Sequence, residues 1–234
     1  MGQQNLNEYF TDLLQKVDLQ IQDFEDNNND PFSLCKQVID YLQEIIGELK
    51  AFIISYSFTS KEEEIYFFKE QKPIIASKII YYNTVYQFEL RFPNGSEETQ
   101  KEFIMAETDR ILAHFQRNIS FYQYYRTKAT YLDHKYFLRG KPDIHILIDN
   151  FYYEADPQFS TSYDYKVAKI LAIELFAIYL TNRLNELERR FQRQQVKNGN
   201  IKKLLRWTGT KRALVELIYA LYTNGDFNKG TVDI

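Results

Sequence analysis

The 234-residue chain has few of the residues that break helices or cross-link a fold. It contains eight glycines, five prolines and a single cysteine, Cys35. Scarce glycine and proline predict a mainly helical protein, because these two residues disfavour helix interiors most strongly. One cysteine cannot form a disulfide within the chain, which favours a reducing, cytoplasmic location over a secreted scaffold.

Long apolar runs are also missing. The most apolar stretch, residues 170–180, is interrupted by Glu174 and falls well short of the roughly 20 residues that a membrane span needs. Residues 1–10 are polar and mixed, which is unlike a signal peptide. We therefore expect a soluble protein that does not enter a membrane.

The motifs of catalysis and metal binding are absent as well. The three histidines, His114, His134 and His145, are scattered, and no second cysteine could complete a metal motif. There is no glycine-rich phosphate loop and no nucleophile elbow. We expect Cys35 to be a core or half-buried thiol and not a nucleophile, and we expect a protein that is not an enzyme and needs neither a metal nor a cofactor.

Two features stand out among the residues that are present. Aromatic residues are abundant, with 19 tyrosines and 18 phenylalanines. Charge is unevenly distributed, since Arg183 to Arg212 holds ten basic and two acidic residues, a net of +8. The remainder holds 19 basic and 30 acidic residues, a net of −11. Such asymmetry indicates a polyanionic partner for one end of the chain, although a solvated linker would show it too.

Apolar spacing predicts helices along most of the first 120 residues. Residues 5–25 and 34–58 form two helical patterns, separated by a turn at 26–31. Ser60 and Glu63 have capping-box spacing and begin a third helix, which Pro73 should kink or divide before it ends near Phe92. Ser96 caps the next helix, whose expected core residues are Ile104, Ile111, Leu112, Phe115 and Ile119.

The middle of the chain lacks the regular helical pattern of the first 120 residues. Residues 144–148 and 151–154 are strand-like and predict a short β-hairpin. Residues 121–145 mix aromatic and basic side chains, a pattern that can hold single-stranded nucleic acid, but packing around a helix end is the favoured interpretation. Thr161 caps the longest helix, from Tyr163 to about Phe191, whose first half is apolar nearly all round and is expected to be buried.

The last predicted helix begins with a motif suited to anions. Thr210 is a good N-cap, and the helix is expected to run from there to Gly225 with one apolar face. The stretch Thr208 to Arg212 offers two hydroxyls, two cations and the free backbone amides of a helix start. These groups together could bind a phosphate.

Several runs of sequence, in the same order, resemble the RteC family. They are Glu63 to Pro73, Phe121 to Lys141, Ser160 to Ala172 and Trp207 to Leu221. The resemblance extends over about residues 60–234. It implies a cytoplasmic regulator that activates the excision genes of a conjugative transposon, downstream of a tetracycline-responsive cascade.

The resemblance also implies an architecture: a helical N-terminal domain followed by a winged-helix DNA-binding domain. We expect the first domain at residues 1–196, and a linker with the first helix and strand (231–234) of an incomplete winged-helix domain at 197–234. The groove-reading helices would lie beyond Ile234, which suggests a truncated chain. The residues expected to contact the DNA backbone are Lys202, Lys203, Arg206, Thr208, Thr210, Lys211 and Arg212.

An alternative interpretation is a helical protein that does not bind DNA. The chain would then be a helical protein–protein interaction module whose basic segment is a solvated linker. The apolar stripe Leu214, Leu217, Ile218 and Leu221 would lack its normal cover, which predicts association between chains and hence a homodimer. The expected partners are therefore promoter DNA, the transcription machinery and a second copy of the chain.

Overall fold

The computed structural model describes residues 5–140, 156–197 and 209–223. All regular structure in these residues is helical, and no strand occurs among them. The prediction of a mainly α protein is confirmed at that level. The predicted β-hairpin at 144–154, the strand at 231–234 and the linker around 198–208 lie outside the described residues.

The chain divides into two compact units, Met1–Leu187 and Glu188–Ile234. The first unit contains α1 (Leu6–Asn27), α2 (Pro31–Ser55), α3 (Lys61–Tyr66), a π-helical turn (Phe67–Gln71), α4 (Lys72–Arg91), α5 (Glu97–Arg117), α6 (Ile119–Arg126) and α7 (Asp133–Tyr136). The long helix α8 (Asp164–Lys197) contains the division, and α9 (Lys211–Thr223) lies in the second unit. The predicted domain boundary after residue 196 stays a prediction.

The core of the first unit is built on α1, α2 and α4. Helix α2 packs against both α1 and α4. It buries one residue on each turn, at Cys35, Val38, Leu42, Ile45, Leu49 and Ile53. Helix α2 begins three residues earlier than predicted, because the Asp30 carboxylate accepts the Ser33 amide proton and Pro31 suits the first turn.

The predicted capping box at the start of α3 is present. Ser60 Oγ accepts the Glu63 amide proton at 3.1 Å. The Glu63 carboxylate reaches back to the Thr59 amide at 2.6 Å, and also accepts the Tyr56 hydroxyl at 2.8 Å. The side chains of Ser60 and Glu63 therefore both fix the start of α3, which leads directly into the π turn.

The π turn is the local response to Pro73. Proline has no N–H to donate to the Lys69 carbonyl, so a regular α-helical turn cannot close here. Instead the Lys72 N–H bonds the Phe67 carbonyl five residues earlier, and α4 continues from Lys72. The expected division of this helix at Pro73 thus takes the form of one widened turn.

Two expectations about burial are wrong. Leu112 of α5 and Ile119 of α6, predicted as core residues, are 54% and 45% exposed. Ile111 and Phe115 are half-buried, so Ile104 is the one buried residue of the five predicted for this core. The first half of α8 is not covered all round either, since Leu175 and Ile178 are 39% and 60% exposed. Other positions of α8 are buried, among them Val167, Ala168, Phe176 and Leu180.

Candidate functional site

The start of α9 is the described part of the predicted DNA-contact segment. Thr210 is its N-cap, and its hydroxyl oxygen accepts the Ala213 amide proton at 3.2 Å. The Thr210 carbonyl accepts the Leu214 amide proton at 3.1 Å, which closes the first turn. The Thr210 cap therefore fixes the first turn of α9, where backbone N–H groups favour an anion.

Lys211 and Arg212 follow the cap and are both exposed. The Arg212 guanidinium pairs with Glu216 one turn later at 3.0 Å, and its side chain remains 90% exposed. An ion pair this exposed contributes little to stability and opens readily to an incoming anion. The structure thus brings together three of the seven predicted residues, Thr210, Lys211 and Arg212. The other four, Lys202, Lys203, Arg206 and Thr208, lie outside the described residues.

A second cluster, which the sequence analysis did not identify, surrounds the π turn. Two lysines three residues apart, Lys69 and Lys72, are only 5% and 9% exposed. Buried lysines are rare unless they are paired and hydrogen-bonded. The two ammonium groups and their partners are named here the buried lysine cluster.

Lys69 reaches the segment that joins α6 to α7. Its Nζ donates to the Asp133 carboxylate at 2.8 Å and to the Ala129 carbonyl at 2.8 Å. The Tyr124 hydroxyl donates to the same carboxylate oxygen, Oδ1 of Asp133. The ammonium also lies 5.2 Å from the Tyr124 ring centroid and 5.7 Å from that of Phe137.

Lys72 makes the equivalent contacts with the start of α8. Its Nζ donates to the Asp164 carboxylate and, at 2.5 Å, to the Phe159 carbonyl. The ammonium lies 4.4 Å from the Phe159 ring centroid and 5.5 Å from that of Phe68. Asp164 also accepts the amide proton of Tyr165 at 2.8 Å, so the carboxylate is bonded on both oxygens.

A third cation adjoins this cluster. The Arg139 Nε donates to Glu64 at 2.7 Å, and its Nη1 donates to the Gln158 carbonyl at 3.0 Å. Its guanidinium stacks on Phe58 at 4.9 Å and on Phe68 at 5.7 Å. Phe68 therefore lies against both Arg139 and Lys72, and it is fully buried.

Burial governs the protonation of Tyr124. Removal from water, followed by the hydrogen bond to Asp133, raises the pKa of the Tyr124 phenol far above its usual value. The phenol therefore keeps its proton and acts as a donor to the Asp133 carboxylate throughout the physiological range.

The buried lysine cluster fastens distant segments together and presents no free cation to a ligand. Each ammonium is already bonded to a carboxylate and a carbonyl, and each partner lies between 60 and 92 residues away in the sequence. Three of the runs that carry the family resemblance, residues 63–73, 121–141 and 160–172, meet here. The one sequence signal for the cluster is two lysines inside the aromatic run that precedes Pro73.

The aromatic residues of 121–138 pack against one another. The Tyr136 ring lies 3.7 Å from that of Tyr163, and the Phe121 ring lies 4.8 Å from the same tyrosine. Phe137 is fully buried, whereas Tyr131 is 78% exposed. These contacts confirm, for the described residues, the interpretation that favoured packing over a stacking surface for single strands.

Cys35 lies in the core of α2 and is 2% exposed. Burial raises the pKa of its thiol to about 11, and the nearby carboxylates Glu89 and Asp30 act in the same direction. The predicted core thiol is confirmed, and its high pKa keeps it protonated and unreactive at neutral pH.

Within residues 5–140, 156–197 and 209–223, no three His, Cys, Asp or Glu side chains are grouped as a metal ion would require. In the same residues no helix combines the length and the apolarity that crossing a membrane requires.

Comparison with known proteins gives one match. The model of a protein family, described as RteC protein, matches residues 66–234, which is more than half of the chain. The matched region begins one residue before the π turn and includes both the buried lysine cluster and α9. No curated protein and no solved structure matches the chain.

Proposed function

This chain belongs to the RteC family, and from that membership we propose that it is a DNA-binding transcriptional regulator. It activates the excision genes of a conjugative transposon in a tetracycline-responsive cascade, acts in the cytoplasm and performs no catalysis. Its partners are the promoter DNA of those genes and the transcription machinery. The observation that carries the proposal is the family match across the basic segment and α9.

The charge distribution supports a polyanion as the partner. Residues 183–212 carry a net charge of +8, in a chain whose remainder carries −11. A cationic segment attracts the phosphate backbone and releases its counterions, whereas an acidic body is repelled by DNA. Only the basic segment would therefore lie against the duplex.

The start of α9 supports the same partner. Thr210 holds the helix start in place, and the exposed side chains of Lys211 and Arg212 follow directly. Backbone N–H groups, a hydroxyl and two cations are the groups that contact phosphate oxygens in protein–DNA interfaces. Contacts of this kind position a protein on the duplex and do not read its sequence.

We assign the backbone contacts to seven residues. Five are cations, which account for the salt dependence of DNA affinity, and two are threonines, whose hydroxyl groups can donate hydrogen bonds. They are Lys202, Lys203, Arg206, Thr208, Thr210, Lys211 and Arg212. With five cations engaged, the logarithm of the affinity should fall against the logarithm of salt with a slope of about −4.5.

Fluorescence anisotropy with a labelled duplex tests the proposal. The probe is the promoter duplex of the host element's excision region, and a scrambled duplex of equal length and composition is the control. We expect binding at low salt that weakens steeply as salt rises. Tighter binding of the promoter duplex would add sequence recognition to backbone contact. Failure of both duplexes to bind at low salt would contradict the proposal.

A second candidate function rests on the apolar face of α9. Leu217 and Ile218 are 43% and 49% exposed, and their neighbours Val215 and Tyr219 are 61% and 69% exposed. A helix that exposes this many apolar side chains suits a helix-in-groove protein contact. The affinity for a protein partner bound in this way should change little over the salt range in which DNA dissociates. Measuring binding over the same range of salt concentrations therefore separates the two functions.

A further inference from the structure

Helix α8 carries three arginines on one exposed side near its end. Arg189, Arg190 and Arg193 are all exposed, whereas Leu187 on the same helix is 1% exposed. Arg189 and Arg193 follow Leu187 by two and six residues, which is about 200° and 240° of helical rotation. They therefore lie opposite the buried side of α8, one turn apart, and Arg190 is the neighbour of Arg193 at a spacing of three residues. The three side chains are named here the arginine face.

The arginine face lacks acidic partners in the part of the chain that the structure describes. Glu186, three residues before Arg189, pairs instead with Arg183 at 3.9 Å. Among the described residues, no carboxylate lies within ion-pair distance of the three guanidinium groups. The sequence from 189 to 215 holds nine basic residues and no acidic one. The face is therefore the start of a long run of uncompensated positive charge.

Cations elsewhere in the chain are paired with an acid one turn away on the same helix. Three such pairs are Lys101 with Glu97, Arg110 with Glu107 and Arg212 with Glu216. Opposite charges at this spacing stabilise a helix, whereas like charges at the same spacing destabilise it. The residues three and four positions before Arg193 are both arginines. The arginine face therefore weakens the helix that carries it, and a bound polyanion would relieve the repulsion.

The helix dipole does not account for these arginines. Cations are favoured near a helix C-terminus, but the effect is confined to the last turn. Helix α8 ends at Lys197, so Arg189 and Arg190 lie about two turns before its end. A solvated surface would be served as well by lysine, yet all four basic residues from 183 to 193 are arginine. Arginine is less strongly hydrated than lysine and binds phosphate through two parallel hydrogen bonds, so this choice favours a phosphate ligand.

We propose that the arginine face is a second phosphate-contact surface for duplex DNA, in addition to the start of α9. The proposal rests on the proposed function, because the partner is the same duplex. A long polyanion fits better than a short acidic peptide, since the positive run continues past α8 to Arg212 without an acid. Arg189 and Arg193 are about 6 Å apart along the helix axis, so they can contact different phosphates.

The arginine face changes the expected salt dependence of DNA binding. With its three cations added to the five already assigned, eight phosphates are neutralised. The slope of the logarithm of affinity against the logarithm of salt then becomes about −7, in place of about −4.5. Fluorescence anisotropy with the labelled promoter duplex measures this slope in the full chain.

The variant Arg189→Gln/Arg190→Gln/Arg193→Gln measures the contribution of the face. Glutamine forms helices about as well as arginine, so the substitutions remove charge while keeping α8. We expect the slope to become shallower by about 2.7, because three cations no longer release counterions. A slope equal to that of the wild type would overturn the proposal and would leave the arginine face to an acidic protein partner or to solvent.

The matched control is Lys16→Gln/Lys36→Gln/Lys61→Gln. It removes the same charge from exposed positions on α1, α2 and α3, so it corrects for the change in net charge. We expect its slope to equal that of the wild type. A wild-type slope near −4.5 that neither triple variant changes would refute the arginine face alone. Absence of duplex binding at low salt would refute the proposed function together with it.

Arg193→Glu separates a binding role from a structural one. A glutamate at this position faces Arg189 and Arg190 one turn earlier, so two repulsive pairs become attractive. We expect amide hydrogen exchange of residues 189–193 to slow about two- to fivefold. The dissociation constant for the duplex should rise about tenfold or more relative to Lys36→Glu, which makes the same charge change on α2. Equal duplex affinity of the two variants would contradict the proposal.

Discussion

The two lysines of the buried lysine cluster and the two cations at the start of α9 carry the same charge but lie in opposite environments. Lys69 and Lys72 are almost fully buried, and each donates to a carboxylate and a carbonyl. Lys211 and Arg212 are exposed, and Arg212 pairs with Glu216, one turn away on its own helix. The first pair stabilises the fold, and the second is open to a partner.

We infer that burial, and not the number of charges, separates the cations that hold the fold together from those that we propose to contact DNA. A buried ammonium group has lost its hydration and is stabilised by its carboxylate partner, so it is not available to bind a ligand. An exposed cation keeps its hydration, and it can exchange a weakly bound ion-pair partner for a phosphate at little cost in free energy.

The largest effect is expected from breaking the buried lysine cluster. Lys69→Met leaves the Asp133 carboxylate buried without its cation, so we expect a loss of about 3–5 kcal/mol in the free energy of unfolding. Urea unfolding measures it. The double variant Lys69→Met/Asp133→Leu removes both charges and should recover much of that loss.

The matched control for that prediction is the exposed ion pair of α9. Arg212→Met should change the free energy of unfolding by less than about 0.5 kcal/mol, because the pair with Glu216 is solvated. If Lys69→Met proved as mild as Arg212→Met, the contrast between buried and exposed cations would be wrong.

A smaller loss is expected from the phenol that donates to Asp133. Tyr124→Phe removes one hydrogen bond to a buried carboxylate, which should cost about 2 kcal/mol in urea unfolding. Tyr131→Phe is the matched control, since Tyr131 is 78% exposed and should tolerate the change. Equal effects of the two substitutions would mean that the Tyr124 hydroxyl does not support Asp133.

The N-cap of α9 should contribute less again. Thr210→Ala removes the acceptor for the Ala213 amide, which should cost the helix about 1 kcal/mol. Amide hydrogen exchange of residues 213–216 measures that loss locally. Thr210→Ser should restore protection, because serine keeps the hydroxyl; if it did not, the cap would not depend on this hydrogen bond.

A separate effect, confined to high pH, concerns the buried thiol. Burial raises the pKa of Cys35 to about 11, above the usual value near 9 that the unfolded chain should show. Between these two values the unfolded state releases a proton that the folded state keeps, so stability should fall as pH rises from about 9 to 11. Unfolding midpoints over this range measure the decline. Cys35→Ala should make it shallower, and an identical decline would remove Cys35 as a cause.

Much of the helical framework could be predicted from the sequence because its signals are local. Apolar periodicity predicted α1 and α2, and the capping residues Ser60, Ser96 and Thr210 occupy the predicted N-cap positions. Such signals need only neighbours three or four residues apart. The family resemblance, carried by short runs, is confirmed by the match to residues 66–234.

The buried lysine cluster could not be predicted because its partners are distant. Asp133 lies 64 residues from Lys69, and Asp164 lies 92 residues from Lys72. The exposure of Leu112, Ile119 and Ile178 was missed for a related reason. Periodicity shows that a helix has an apolar face but does not show whether the same chain covers it.

The salt dependence of duplex binding by Lys211→Ala/Arg212→Ala tests directly whether the exposed cations of α9 contact DNA. Lys16→Ala/Lys36→Ala is the control, since it removes the same charge from exposed positions on α1 and α2. We expect a shallower slope, by about two, for the α9 variant and an unchanged slope for the control. A slope unchanged in the α9 variant would contradict the assignment of these cations to DNA.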